Sequence, residues 1–392
     1  MEERHLSRAE AVKLLKAKFL EALQRNDAAE VEKLLRTTNI DIDTVFDVED
    51  RSMVLASYKQ GYWLPGYKLE SSWAMGIHVC MMYNAVESAL VLLQKGAALN
   101  RKPNGKTPLH VACEVSHADC VNLLLNWGAK VNSVSLSGHS PLHYCITPES
   151  VACAKQLILK GAEVNMPSQN TEEDTPLHTA ARFGISELVA LYTAHGADVD
   201  AANSHMETPL ITAAFWAMDS REQTYSANHH LVSRMLLDYG ADPNLQEEDG
   251  KTALHKASWN CDHVLMQMLL EAGAKPNIMD MNGCAALQYV LKVLQNCYDY
   301  PKAVEVMGNS YERLMKTNKW RSAIPDATYN RHSEFYDSLF AVCTNSPRTL
   351  QHLVRCAIRI AVHGHCESAI QQLSLPLAIK RYLLLEPVGI IY

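Results

Sequence analysis

Thr107-Pro-Leu-His-Val-Ala-Cys113, Ser140-Pro-Leu-His143, Thr175-Pro-Leu-His-Thr-Ala-Ala181, Thr208-Pro-Leu-Ile211 and Thr252-Ala-Leu-His255 share one pattern, and their starts step by 33, 35, 33 and 44 residues. A Gly-Ala pair follows each, at Gly128, Gly161, Gly196, Gly240 and Gly273, with an earlier pair at Gly96. Four residues beyond those glycines stand Asn100, Asn132, Asn165, Asp200, Asn244 and Asn277. The residue types have mechanical reasons. Thr107 can cap a helix through its hydroxyl, and Pro108 suits the next position, where a missing N–H costs nothing. A second helix carries paired aliphatics such as Leu124-Leu125 or Leu236-Leu237, and ends at a Gly able to take positive φ.

A period near 33 with Thr-Pro-Leu-His-x-Ala is the ankyrin signature, a hairpin-like turn followed by two antiparallel helices. One unit cannot bury its own apolar face, so stacking makes the core. The expected fold is all-α: an ankyrin-repeat solenoid over 74–300, about six repeats with the last degenerate, followed by further helices. Gly105-Lys-Thr107 and Gly250-Lys-Thr252 resemble the tail of a phosphate-binding loop, but the first Gly of such a loop would fall at Asn100 or Leu245. The recurring histidines are expected to tie one turn to the next. No nucleophile elbow, zinc-protease motif or dinucleotide fingerprint is present, so no enzyme, catalytic residue or cofactor is expected.

The chain has 392 residues, 48% apolar and 20% charged, which is a globular composition and not a disordered one. Asp plus Glu total 43 against 36 Lys plus Arg, a balance that argues against nucleic acid as partner. The polar start at Met1 to Glu10 and the lack of a long apolar run lead to the expectation of a soluble, intracellular protein without a membrane partner, cytoplasmic with the nucleus also open. Eleven scattered cysteines lack any Cys-x-x-Cys pair. The clusters Cys113/His117/Cys120 and His363/His365/Cys366 lack a second ligand pair at zinc-finger spacing, so no metal is expected.

Outward from the array, 1–46 reads as N-terminal helices and a degenerate repeat. A segment at 47–73 is rich in rings (Tyr58, Tyr62, Trp63, Tyr67 and Trp73) and reads as a loop packed over the first repeats, or as a partner-binding rim. Residues 301–346 read as a helical linker. Two turns are acidic, Gln169 to Asp174 and Gln246 to Asp249, so Glu172, Glu173, Asp174, Glu247 and Glu248 are candidate substrate contacts through charge. The 44-residue step places extra residues near Ala217 to His230, where Tyr225 is a further candidate.

From Pro347 the character changes, and 347–392 reads as a separate unit. Thr349 opens a helix with the apolar stripe Leu350, Leu353, Val354, Ala357, Ile358 and Ala361, and Arg355 and Arg359 sit off it. Leu373-Ser-Leu-Pro376 introduces another short helix. By periodicity such helices could simply cap the solenoid.

Thr-Leu-x-x-Leu-x-Arg-x-x-Ile-Arg at 349–359 resembles an elongin-binding box, and Leu-x-Leu-Pro-x-x-Ile-x-x-Tyr-Leu at 373–383 resembles a cullin box. Following ankyrin repeats, the pair is similar to the ankyrin repeat and SOCS box family. Val48-Glu-Asp50, the run Val54 to Pro65, Trp259 to Leu265 and the ending Leu-Leu-Leu-Glu-Pro387 resemble one member of that family in particular. The resemblance implies a small helical SOCS box and a substrate-recognition subunit of a multisubunit ubiquitin ligase. It implies binding of elongin-C (itself bound to elongin-B) through Leu350, Leu353, Val354 and Ile358, with Leu350 inserting into an apolar pocket and Leu353 and Ile358 supporting it. It implies that Leu375, Pro376, Ile379 and Tyr382 engage cullin-5, which carries its RING-box protein, or position that contact, and that an unknown protein substrate binds the repeats. The chain departs from the family at Val354, where Cys or Ser is common, at Ser374, where Pro is frequent, and between Val293 and Ala303, where it is shortened. Two turns also resemble substrates of the oxygen-sensing asparaginyl hydroxylase, which would modify Asn244 or Asn165. The alternative is that both side chains hold their turns by hydrogen bonding.

Overall fold

The computed structural model describes residues 8–48, 54–56, 63–68, 72–219, 224–293, 301–311, 326–343, 348–362, 366–388 and 391. Two compact units are present, one running to Ala180 with Ala190–Ala197, the other comprising Ala181–Val189 and the chain from Asp198 onward.

In the first unit the repeat chemistry appears atom by atom. Thr107 ends the turn and accepts from the His110 N–H, and Pro108–Glu114 begins with Pro at its first position. The Thr107 N–H donates to His110 Nδ1 at 3.1 Å, which leaves the ring proton on Nε2. That proton reaches the carbonyl of His139 in the next turn, 3.0 Å away. His78 does the same to the carbonyl of Lys106 (3.0 Å) and His143 to that of Asp174 (2.8 Å). Burial lowers these imidazoles to about 4 for His78 and His143 and about 3 for His110. In His110 and His143 a neutral ring is what the ladder needs, because Nδ1 accepts the backbone N–H of Thr107 and Ser140. The asparagines form a second ladder: Asn132 Oδ1 accepts from the Glu163 N–H (3.1 Å) and its Nδ2 donates to the Gly161 carbonyl (3.3 Å). Gly128 closes its helix at φ 87°, a left-handed conformation that a side chain would oppose.

The segment expected as a loop at 47–73 contains strands. Val45–Val48 pairs antiparallel with Ser72–Met75, Phe46 facing Ala74, and Val54–Ala56 pairs with Trp63–Lys68. The period-two alternation puts Phe46 and Val48 inside and Val45 outside. The Phe46 ring lies 6.1 Å from that of Phe19, while Trp73 is exposed. Tyr58 and Tyr62, and the side chains of Trp63 and Tyr67, lie outside the described residues. His117, once a tempting ligand, spends Nδ1 on the Met81 carbonyl at 2.7 Å, and Cys120 donates to Asn84 Oδ1. His363 and His365 lie outside the described residues. Among those described, no group of three His, Cys, Asp or Glu could hold a metal and no helix is long and apolar enough to cross a membrane.

In the second unit Pro209–Trp216 leads into a small ladder, Met218–Asp219 with Thr224–Tyr225, and then the helix Ala227–Asp238. The pairs continue with Ala253–Trp259 and His263–Glu271, then Ala286–Val293 and Pro301–Ser310. Pro301–Ser310 packs on both His263–Glu271 and Ala286–Val293, burying Ala303, Val304, Val306 and Met307. It therefore serves as the second helix of the last repeat, and the linker expected at 301–346 begins inside the array. Asp326–Arg331 and Ser333–Cys343 follow, and then Leu350–Ala361, Cys366–Gln372 and Leu377–Leu383 form the terminal box.

Candidate functional site

Thr349 starts the Leu350–Ala361 helix by accepting from the His352 N–H at 3.1 Å, as a cap should. The helix is then oriented against the usual sense. Leu350 is 77% exposed, Val354 48% and Leu353 40%. Positions i, i+3 and i+4 share a face, so these form an open apolar stripe. The buried positions are His352, Arg355 and Cys356.

Carbonyl groups explain the inversion. The last four carbonyls of a helix lack intrahelical donors and carry its negative pole. The Arg355 guanidinium donates to the Asn309 carbonyl at 3.0 Å, at the end of Pro301–Ser310, and to the Tyr382 carbonyl at 3.4 Å. Arg359 donates to Leu270 O of the preceding repeat (3.1 Å) and to Leu383 O (2.9 Å). Arg348 donates to the carbonyls of Gly308 and Tyr311. His352 Nε2 donates to Tyr311 O at 3.0 Å, and its Nδ1 accepts from Arg355 at 2.8 Å. Burial first, then Arg348 and Arg355, hold this imidazole down at about 4, neutral as that geometry requires. Planar, permanently charged guanidinium forks suit the task of satisfying two helix ends at once. Gln267 adds a bond to Leu384 O (2.9 Å), and Arg234 pairs with Glu367 at 2.9 Å.

The expected contact residues divide. Leu350, Leu353 and Val354 lie on the open stripe, whereas Ile358 turns inward and packs on Cys366, Ile370, Leu383 and Leu384. Its role in any contact is support. Pro376 and Ile379 are exposed, with Leu377 beside them at 63%. Leu375 and Tyr382 pack against the same internal cluster. The half-buried Tyr382 ring also carries the Arg355 guanidinium 4.4 Å from its centroid, which helps to position the box.

The acidic fingers are less acidic on the outside than their sequence. Asp174 is 3% exposed and its carbonyl receives His143, so it belongs to the ladder. Glu247 is buried too, 2.7 Å from Lys256 and 3.4 Å from Lys251. Glu172 is half-buried, and Glu173 and Glu248 are the exposed members. Tyr225 is taken up structurally: its hydroxyl donates to the carbonyls of Asn260 (3.2 Å) and Cys261 (2.9 Å), fastening the insert to the following repeat. Asn165 Nδ2 donates to Gly196 O (2.9 Å), and Asn244 holds both the Lys275 N–H (2.8 Å) and Gly273 O (3.2 Å). Sequence reasoning missed His352, Arg355 and Arg359 as the anchoring face. Their i, i+3, i+7 spacing was the available signal.

Residues 77–168 and 150–222 match the family described as ankyrin repeats (3 copies), residues 216–270 that of ankyrin repeats (many copies), and residues 346–384 the SOCS box. Mouse ankyrin repeat and SOCS box protein 16 is 36% identical over 372 residues, spanning 87% of this chain and 80% of that protein. The chain belongs to the ankyrin repeat and SOCS box family. Human protein 16 is 32% identical over 88% of this chain and 81% of its own length, and human protein 18 is 35% identical over 74% and 60%. The crystal structure of the human ASB11 ankyrin repeat domain superposes with a TM-score of 0.48 and 24% identity, covering 54% of this chain and 90% of that one. The member that the sequence motifs resembled was ankyrin repeat and SOCS box protein 4. The comparisons bear out the family and not that member specifically, proteins 16, 18 and 10 being among the relatives matched. Membership, with repeats and box both present, implies a substrate-recognition adaptor of a cullin-RING ligase, a receptor and not the catalyst.

Proposed function

We propose that this chain recruits elongin-C, with elongin-B, through Leu350, Leu353 and Val354, and cullin-5 with its RING-box protein through the Pro376–Ile379 surface. The observation that carries this reading is the helix facing: an apolar stripe left open while arginines are buried behind it. An exposed Leu gains roughly 1.5–3 kcal/mol when a partner's pocket covers it. A receptor of this kind breaks no bond. It holds a substrate's lysines beside the conjugating enzyme and raises their effective concentration.

A second reading, an ankyrin scaffold whose terminal helices only cap the stack, has one observation in its favour. Arg359 and Gln267 do join the box to a repeat helix. Capping uses the face opposite Leu350, however, and leaves the stripe without a purpose. Purified elongin-B/elongin-C and cullin-5 pull-downs separate the two. Leu350→Arg is expected to abolish elongin capture while the melting temperature stays within a degree or two. Equal capture by wild type and variant would sink the proposal. Modification of Asn244 or Asn165 by the asparaginyl hydroxylase belongs to the same regulatory picture. Intact mass after incubation with that enzyme reads it, an added oxygen being the expected result and an unchanged mass the refutation.

A further inference from the structure

The first helices of three successive repeats wall a cavity of about 340 Å³. Phe215 comes from Pro209–Trp216, Trp259 from Ala253–Trp259 and Tyr289 from Ala286–Val293, with Lys251 and Lys256 also lining it. Phe215 is 46% exposed and Trp259 54%, a heavy aromatic exposure for neighbouring helices. Tyr289 is buried between them and the fold. Its ring sits 5.8 Å from Trp259 in an edge-to-face pair, and its hydroxyl donates to Asp280.

The charges around these rings are settled. Lys256 Nζ lies 2.7 Å from Glu247, 3.4 Å from Glu207 and 5.3 Å over the Phe215 ring. Lys251 pairs with Asp249 and Glu247. An occupant therefore needs no charge inside the cavity, and carbon walls favour a ring. The rim differs. The carboxylates Glu207, Glu247, Glu248 and Asp249 outnumber the two ammoniums; Glu248 has His205 3.3 Å away and Asp249 shares Lys251 with Glu247, yet the Glu248 and Asp249 side chains stay 70% and 63% exposed. That surplus favours a cation beside the ring and opposes an acidic segment.

We propose that this cavity is the grip on the adaptor's partner, and that the partner presents an aromatic side chain with a basic residue next to it. The assignment rests on the adaptor reading for its purpose. The ring seats between Phe215 and Trp259, where an added aromatic pair is worth roughly threefold to tenfold in affinity. The neighbouring cation meets the Glu248-Asp249 fingertip.

Saturation-transfer NMR on the full chain tests this with three probes: N-acetyl-Arg-Phe-amide, N-acetyl-Arg-Ala-amide and N-acetyl-Glu-Phe-amide. The first is expected to show the strongest transfer, centred on its ring. Trp259→Ala is expected to weaken it roughly threefold to tenfold. Trp259→Phe keeps a ring in place, guards against a folding artefact and is expected to retain most of the signal. Asp249→Arg is expected to reverse the order of the Arg-Phe and Glu-Phe probes. Equal transfer to Arg-Phe and Arg-Ala, or transfer unchanged in Trp259→Ala, overturns the proposal. Elongin capture by the unmodified chain is read separately. Its failure removes the adaptor reading and leaves the dipeptide result standing, whereas dipeptide failure leaves elongin capture untouched.

Discussion

Arg355 places its guanidinium 4.4 Å from the centre of the Tyr382 ring while donating to the carbonyls of Asn309 and Tyr382. One cation, 2% exposed, thereby joins the first helix of the box to the last and both to the final repeat. The same side chain dictates which way the helix faces. Only with Arg355 inside can Leu350 be outside.

Arg355→Ala is expected to cost about 2–4 kcal/mol, because two helix-end carbonyls lose a charged donor and the ring loses its cation. Arg355→Lys is expected to recover less than half of that, since one ammonium cannot span both carbonyls. Urea unfolding followed by circular dichroism measures both, and equal stability of the wild type and Arg355→Ala would refute the anchoring role.

Leu350 and Ile358 should separate stability from assembly. Leu350→Ala is expected to leave unfolding within ~0.5 kcal/mol of wild type, whereas Ile358→Ala costs about 1–2 kcal/mol by removing half-buried packing beside Ile370 and Leu383. For elongin-C affinity the ranking is expected to invert. Calorimetric melting and binding titration on the two variants check each half independently.

Asn244→Ala is expected to release the Lys275 N–H and Gly273 O together, at about 1–2 kcal/mol. Hydrogen exchange should quicken at the Lys275 amide and leave the Glu163 amide, held by Asn132, unchanged. Equal exchange at Lys275 in both proteins would show the side chain to be dispensable.

Acid should loosen the repeats. His78, His110 and His143 are held at about 4, 3 and 4 in the folded chain by burial, against an ordinary value of 6.5. Above pH 6.5 both folded and unfolded states carry neutral rings and stability is complete. As pH falls from 6.5 towards 4 the unfolded chain takes up protons that the folded one refuses, so stability drops through that window. The urea midpoint is expected to be lower at pH 5 than at pH 7.5, and replacing His110 by Gln should flatten the slope.

Much of this architecture was legible because the repeat writes its mechanics in residue types. Thr107 and Pro108 announce a helix start, His110 and Asn132 recur where a neighbouring turn offers a carbonyl, and Gly128 needs the left-handed region. The strands at Val45–Val48 and Ser72–Met75 were not legible, since two four-residue runs far apart in the chain carry only a weak alternation and become a ladder by pairing. Asp174 and Glu247 read as exposed charge because sequence does not say that a carbonyl or a lysine waits behind them. In the box, the apolar stripe was plain and its direction was not. Periodicity defines two faces of a helix, and which one meets the protein depends here on the carbonyls of Asn309, Leu270 and Leu383, contributed by other helices.

The reach of Arg348, Arg355 and Arg359 to Gly308, Asn309, Tyr311 and Leu270 has a consequence for protein engineering. A terminal segment cut at residue 347 and transplanted onto a foreign receptor would leave behind the acceptors its cations were shaped to meet. A graft beginning before His263 would carry those acceptors along, so the portable cassette in this chain is nearly three times longer than the motif that names it.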